Sequence, residues 1–300
     1  MQIPDNLIHF FTLFPDDLSC RKYLEQRLWK NGVPICPHCG HSEKIYRYKN
    51  GKLFKCACCK KQFKVTTGTI YENSNIPLRK WFLAFYLLAV SKKGISSIEL
   101  SKTLGVTQKS AWYLLHKIRY MLKNKESHRM VSGTVELDET YIGPRKPRIR
   151  GSKRGRGTDK QPVFGALQRK GNLYITPVPD TKRKTLEPII REKVQAGTTI
   201  YSDEWWAYKQ LYRHYTHRTV NHGTKEYARG DVHVNSLEGA WAHLKRSLMG
   251  TYHRPSKKHL DKYCAEFQFN YNTRNQSPGN KFRQTISKNN LRVKYKDITT

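Results

Sequence analysis

The sequence predicts an α/β protein in which a cysteine-bearing ribbon and a helical region precede a larger domain with a mixed sheet. Three observations carry that prediction. Four cysteines form two tight pairs near the N-terminus, residues 78–124 keep a helical period, and from residue 131 the pattern turns to short alternating strands. Three strands, a helix, another strand and flanking helices make an α/β domain with a mixed sheet. The expected divisions are an N-terminal helical segment (1–30), the ribbon (31–70), a helix-turn-helix region (75–125), the α/β domain (130–280) and a C-terminal tail (281–300).

The ribbon rests on spacing. Cys36-x2-Cys39 and Cys56-x2-Cys59 are separated by a stretch that reads as a β-hairpin, "YRYKNGKLFKC", with Asn50-Gly51 at its turn. Two such knuckles supply the four thiolates of a tetrahedral zinc site. Cys58 sits inside the second knuckle, where it competes as a ligand, but Cys59 completes the regular spacing. Cys20 and Cys264 read as small apolar residues. With 7 cysteines, an odd number, the usage favours metal binding in a reducing compartment over a disulfide framework.

In the helical region, "LRKWFLAFYLLAVSKKG" has the pattern of a buried helix ending near Gly94. "ISSIELSKTLGVTQKSAWYLLHKIRYML" then reads as helix, Leu-Gly-Val turn, helix. Leu100, Leu104, Val106, Trp112, Leu115 and Ile118 form its expected inner stripe. The second helix is expected to begin after Thr107 and to present Gln108, Lys109, His116 and Arg119 outward. If it enters a major groove, its early residues lie nearest the base edges. A plain helical hairpin is the alternative.

Beyond residue 131, "GTVELDETYIG" is the first strand, and two more flank a Lys170-Gly171-Asn172 turn. "TLEPIIREKVQAG" is an amphipathic helix and "TTIYSDEWWAY" a strand breaking at Asp203. "HVNSLEGAWAHLKRS" starts a helix with Leu237, Trp241, Leu244 and Leu248 on one apolar stripe, and "KKHLDKYCAEFQFNYNTR" is the last long helix, with a Leu260/Tyr263/Phe267/Tyr271 face. Trp205, Trp206 and Trp241 are expected in the core.

Charge narrows the function. The net charge is +33, from 56 Lys and Arg against 23 Asp and Glu. Such self-repulsion points to a polyanionic partner, with nucleic acid ahead of a ribosome-like scaffold or an anionic membrane surface. The apolar run "WFLAFYLLAV" is too short to span a bilayer. The N-terminus has neither a basic region nor a long apolar run of signal-peptide type. The expected location is therefore cytoplasmic and nucleoid-associated, with no membrane partner.

Against this basic background three acids occupy similar places. Asp138 and Asp203 follow hydrophobic strands, and Glu238 heads a helix. Two strand-end aspartates faced by a helical glutamate can hold two divalent cations, Mg²⁺ or Mn²⁺, about 4 Å apart. The cations would invert the local electrostatics so that a polyanion can approach. The competing reading is solvated strand-end acids plus a helix cap, in which Asn235 caps and Glu238 completes a capping box. Glu136 shares the strand face of Asp138 and is hard to exclude as a ligand; Glu139 and Glu204 point the other way.

"ELDETYIG", "YSDEWWAY", "VNH" and "HVNSLEGAWAHLKR" resemble, in order, the motifs of bacterial insertion-sequence DDE transposases with an N-terminal zinc ribbon. The resembling group is insertion-sequence family fifteen ninety-five, ISXO-two-like. "FKVTTGTIYENSNIPLRKW" and "HLDKYCAEFQFNYNTR" resemble that family's flanking segments, so the resemblance spans about residues 15–275. It implies an RNase H-like catalytic domain, structural zinc, divalent catalytic metal, and hydrolysis followed by strand transfer on the ends of double-stranded DNA elements. A homodimer or larger synaptic complex is implied by the need to hold two ends. By position, Asp138, Asp203 and Glu238 match the three acids and Lys245 the following basic residue; His222 and His233 match auxiliary positions. Members of the family can carry Asn in place of the third acid, so Asn235 is an alternative oxygen ligand. Lys245, on the helix face of Glu238, and Arg246 beside it are expected to contact phosphate. The basic loop at 144–160, with Arg145, Lys146, Arg148, Arg150, Lys153, Arg154 and Arg156, is expected to add affinity without sequence choice.

Overall fold

The structure, a computed structural model, describes residues 2–126, 129–143, 159–220, 228–253, 255–286 and 291–299. The chain forms two compact units: residues 1–91, 95–121 and 276–300, and residues 92–94 and 122–275.

The first unit opens with α1 (Leu7–Leu13) and α2 (Asp17–Leu28), whose N-termini are capped by the side chains of Asn6 and Asp16. Three short antiparallel strands follow: β1 (Ile45–Arg47), β2 (Phe54–Cys56) and β3 (Gln62–Phe63). The β1–β2 hairpin turns where expected. Gly51 adopts φ 63°, and Asn50 Oδ1 accepts the N–H groups of Lys52 and Leu53. One face of this sheet buries Phe54 and Phe63 against Trp29. Next come α3 (Leu78–Val90), α4 (Ser97–Leu104) and α5 (Gln108–Glu126), of which the stretch to Met121 lies in this unit. Gly105, left-handed at φ 58°, ends α4, and Thr107 Oγ1 accepts the Ser110 N–H at the start of α5. The turn between the two helices therefore falls at Gly105, and α5 begins after Thr107 as expected.

Its second helix differs from expectation in orientation. Gln108 and Lys109 are exposed, but His116 and Arg119 are fully buried. Ala111, Leu114, Leu115, Ile118, Met121 and Leu122 form one buried apolar stripe, and His116, Lys117 and Arg119 on the flanking sides are buried too, so packing covers more of the middle of α5 than its apolar stripe alone would require. His116 instead stacks on Trp112 at 4.0 Å between ring centroids. Of the four residues expected to face outward, only Gln108 and Lys109, in the first turn of α5, do so.

The second unit is built on a five-stranded sheet of β4 (Thr134–Ile142), β5 (Gln161–Gln168), β6 (Leu173–Pro177), β7 (Thr199–Asp203) and β8 (Thr216–Val220), in the order β6-β5-β4-β7-β8. β4, β5 and β6 form an antiparallel meander, while β7 and β8 add to β4 in parallel. This is the connectivity of an RNase H-like sheet. Lys170, at φ 56°, makes the β5–β6 turn. α6 (Arg183–Lys193) packs on one face with Val135, Leu137, Phe164 and Ile200. α7 (Asn235–Gly250) and α8 (Leu260–Asn272) cover the other, with Leu237, Trp241, Leu244 and Leu248 meeting Val163, Leu167 and Ile175. Strand alternation thus sends Val135 and Leu137 to the α6 face and Glu136 and Asp138 to the α7 face. β8 was not expected: its sequence, Thr-His-Arg-Thr-Val, is polar at four of five positions, as an edge strand tolerates.

The chain then returns to the first unit as α9 (Pro278–Ile286) and α10 (Tyr295–Thr299). Residues 281–300, expected as a tail, are therefore partly helical and packed. Phe282 is fully buried among Phe10, Phe14, Tyr23, Phe82 and Tyr86. Phe282→Ala should cost the first unit about 3–5 kcal/mol in urea-induced unfolding, as other large core deletions do. A loss below about 0.5 kcal/mol, typical of surface positions, would mean that α9 is dispensable.

Candidate metal centre and carboxylate face

In the ribbon, the four Sγ atoms of Cys36, Cys39, Cys56 and Cys59 lie within 4.8 Å of one another. Each knuckle is shaped by the same backbone device. The N–H of Cys36 donates to the carbonyl of His41, and that of Cys56 to the carbonyl of Lys61; the residues following the second cysteines, Gly40 and Lys60, are both left-handed. Within the second knuckle, burial opposes ionisation of Cys56, but the N–H groups of Cys59 and Cys58 overcome it and bring its thiol down to about 7. A thiol so poised becomes a thiolate ligand readily. Cys58 is exposed and outside the cluster, so the regular spacing holds. The donor set fits a structural zinc ion. Burial pushes the Cys20 thiol up to about 12, which suits a packing role.

In the second unit, β4 and β7 pair with Thr134 opposite Thr199 and Glu136 opposite Tyr201. Continued by two residues, this register brings Asp138 towards Asp203, whose carboxylate is near enough to act on it. Asp138 is not at a strand end, as expected, but in the middle of β4, which continues to Ile142; β7 does end at Asp203. Burial, then the neighbouring carboxylates of Glu139 and Asp203, push Asp138 up to about 8. Asp203 turns its Oδ1 to the Trp205 N–H at 3.1 Å. Glu139 faces the opposite side, where Tyr208 donates a hydrogen bond to it. The Trp241 indole N–H donates to Asp138 Oδ2 at 3.0 Å, which ties α7 to the aspartate. Gly165 lies opposite Asp138 on β5, and a Cβ there would come within 2.5 Å of the Trp241 ring. Trp241 reaches Asp138 because position 165 has no side chain.

Glu238 and Lys245 lie three residues before and four after Trp241, so both share its side of α7. Both are exposed, as are Asn235 and Arg246. Partial desolvation draws Lys245 below the ordinary lysine value while the Asp138 carboxylate pulls it upward, which places the two within electrostatic reach. Among the described residues only the four thiols converge as tightly as 4.8 Å; the acids do not. Ligands divided between two cations about 4 Å apart need no such convergence.

The capping box does not form. α7 begins at Asn235, and no side chain of its own segment caps it. The acceptor comes from β4: Glu136 Oε2 takes the Leu237 N–H at 2.9 Å, one of the orphan donors of the first turn. Glu136 Oε1 accepts from Arg169 Nε at 2.8 Å and lies 3.6 Å from His233 Nδ1, and Arg169 also donates to the His233 carbonyl at 3.0 Å. Arg169 stacks over the Tyr201 ring at 4.7 Å. Glu136, the rival ligand, is thus fully buried and spent on positioning, and His233 belongs to this network. Strand alternation singled out Glu136, but nothing in the sequence pointed to Arg169. Nor did anything mark His217, whose Nε2 lies 2.9 Å from the Oγ of Ser202, next to Asp203; burial lowers its pKa. Trp206 is half exposed, in contrast to the expected core position, while Trp205 packs against the α6-side core and Trp241 is buried. His222, Arg145, Lys146, Arg148, Arg150, Lys153, Arg154 and Arg156 lie outside the described residues.

A four-cysteine ribbon and an RNase H-like sheet with paired aspartates are thus joined in one chain. Residues 130–272 match the ISXO2-like transposase domain, and residues 15–62 match the transposase zinc-ribbon domain. A protein of Halobacterium salinarum, named as an uncharacterized protein in transposable element ISH50, is 32% identical over 273 residues, covering 85% of this chain and 90% of its own. An uncharacterized transposase-like protein of Haemophilus influenzae is 32% identical over 104 residues, 34% of this chain and 83% of its own. Among solved structures, the pre-cleavage Mos1 transpososome shares 11% identity over 71% of this chain and 80% of its own at a TM-score of 0.23, too loose to add to the sheet order. The chain belongs to the ISXO2-like transposase family. No helix among the described residues is long and apolar enough to cross a membrane.

Removing one side of a buried ion pair strands the other. Arg169→Met should therefore destabilise the second unit by about 3–5 kcal/mol, and adding Glu136→Gln should recover part of that loss. Equal additive losses in chemical denaturation would contradict the network. Gly165→Ala should cost about 1–3 kcal/mol by overpacking and shift the tryptophan fluorescence as Trp241 is displaced; an unchanged spectrum would contradict the role given to this glycine.

Proposed function

We propose that this chain is a DDE transposase that binds the terminal inverted repeats of its element, cuts DNA and joins the released 3′-hydroxyl to a target. The observation that carries the reading is the placement of Asp138 beside Asp203 on adjacent parallel strands, with the Glu238–Lys245 side of α7 tied to Asp138 by Trp241. Mg²⁺ or Mn²⁺ held by Asp138, Asp203 and Glu238, all hard oxygen donors, would supply activation of the attacking water or 3′-hydroxyl and stabilisation of the leaving oxygen. Burial and the neighbouring carboxylates raise the pKa of Asp138, and positive charge held beside it would favour its ionised form. Asn235, exposed in the same first turn, is the alternative third oxygen ligand.

Around that face the chain's cations hold DNA. Lys245 and Arg246 meet phosphate next to the acids, the basic residues of the 144–160 segment add affinity without sequence choice, and His222 serves as an auxiliary residue that hydrogen-bonds the scissile phosphate or steadies a ligand. The first turn of α5, with Gln108 and Lys109, reads base edges, and the ribbon supports it. Buried His116 and Arg119 take no part. Two ends must be held together for joining, so the working form is a homodimer or larger synaptic complex, acting on the nucleoid in the cytoplasm.

The test is a cleavage and joining assay on DNA carrying the element's own ends with Mg²⁺ or Mn²⁺. Asp203→Ala and Glu238→Ala should each lower the cleavage rate on the order of 10³-fold, a loss of several kcal/mol of transition-state stabilisation, while end binding persists. Wild-type binding without cleavage in either metal would leave a DNA-binding regulator; cleavage without joined product would leave a nuclease. Full activity of Glu238→Ala would move the third ligand to Asn235.

A further inference from the structure

We propose that the exposed face of the ribbon sheet binds an unpaired DNA strand, with bases stacked on Tyr46 and Tyr48 and phosphates held by the surrounding lysines. The inference deepens the DNA-binding reading above by giving the ribbon its own form of substrate.

The sheet has two unlike faces. Phe54, Cys56 and Phe63 point inward and are buried. Tyr46, Lys55 and Gln62 form one cross-strand row on the outer face, since Tyr46 pairs with Lys55 and Lys55 with Gln62. Tyr48, two residues along β1's path, falls on the same side. The tyrosines are 52% and 37% exposed, so ring surface is open to a ligand although buried partners lie one residue away. Neither ring is loose. Gln62 Nε2 donates to the Tyr48 hydroxyl at 2.8 Å, and Lys44 sits over the Tyr46 ring at 5.9 Å. Beside them is a shallow cavity of about 220 Å³, lined by both tyrosines, Lys55 and Lys60. That is smaller than the roughly 300–1,000 Å³ of pockets that enclose whole drug-sized ligands, and it suits one planar ring.

Charge selects the class of ligand. Between Lys44 and Lys64 the sequence has eight basic residues and no acid. Arg47 is engaged by Glu25, so the lysines supply the free positive field. A duplex offers such a surface phosphates and base edges but no ring faces. An unpaired strand offers both, and stacking on aromatic side chains is tolerant of sequence. Residues two apart on a strand are about 7 Å apart, roughly twice the 3.4 Å step of stacked bases. Tyr46 and Tyr48 therefore match bases drawn out of a stack.

The test uses the full-length zinc-loaded protein and a labelled single-stranded thymidine oligonucleotide of roughly 15 residues, within the length one small binding fold covers, read by fluorescence anisotropy. Tyr46→Ala and Tyr48→Ala should each weaken binding on the order of tenfold, while Tyr46→Phe and Tyr48→Phe retain it. All four should keep their zinc and bind a duplex of the same length as wild type does. Gln108→Ala with Lys109→Ala should do the reverse, weakening binding of the element's ends and sparing the oligonucleotide, so the two readings fail separately. Alanine variants that bind the oligonucleotide like wild type, or lose duplex and strand equally, would overturn the proposal. A ribo-oligonucleotide bound tenfold more tightly than the deoxy form would overturn the assignment to DNA.

Discussion

The buried carboxylate of Glu136 is the point on which the arrangement of the second unit turns. It lies on the central strand, takes a donor from the first turn of α7, and is neutralised by Arg169. Burying such a charge unpaired would be costly, so the helix start, the arginine and the strand are fixed together. Two residues along β4, Asp138 inherits that fixed position. Four residues along α7 from the anchored Leu237, Trp241 makes the second tie, to Asp138 itself. α7 is thereby held at two points along the strand, and Glu238 rides between them.

This division of labour separates a positioning acid from those proposed to hold the metals. Glu136 is fully occupied and fully buried, whereas Asp138 is tied to α7 through one oxygen, by the Trp241 indole, and Glu238 remains exposed. The cost is local: Asp138 is crowded by Glu139 and Asp203 in a desolvated setting. Such crowding disfavours the ionised acid without cations and favours their capture when they are present. Lys245 meets the same face from the next turns of α7, adding positive charge where a phosphate would approach.

How much of this was legible in the sequence follows from how far apart the cooperating residues lie. The zinc knuckles were readable because each is closed by backbone hydrogen bonds spanning five residues. The strands β4 to β7, the apolar stripe of α7 and the turn between α4 and α5 were readable from periodicity and caps. β8 was not, because a polar edge strand lacks the alternation that marks a half-buried one. The orientation of α5 was hidden because its polar His116 and Arg119 mimic a solvent face that tertiary packing removes. The anchoring of α7 joins residues 33 and 101 positions apart, and no local pattern reports that. The same holds for α9, whose Phe282 finds its partners among residues 10–86. Asn235 followed by Glu238 looked like a capping box because both residue types were right; the tertiary acceptor from β4 displaced it.

The most direct measurement of the central claim is anomalous diffraction from crystals of this protein soaked in Mn²⁺. The account predicts two peaks about 4 Å apart, bounded by the carboxylates of Asp138, Asp203 and Glu238, with Glu136 still bound to Arg169 and the Leu237 N–H. Manganese ligated by Glu136, or no manganese between Asp138 and Asp203, would contradict it.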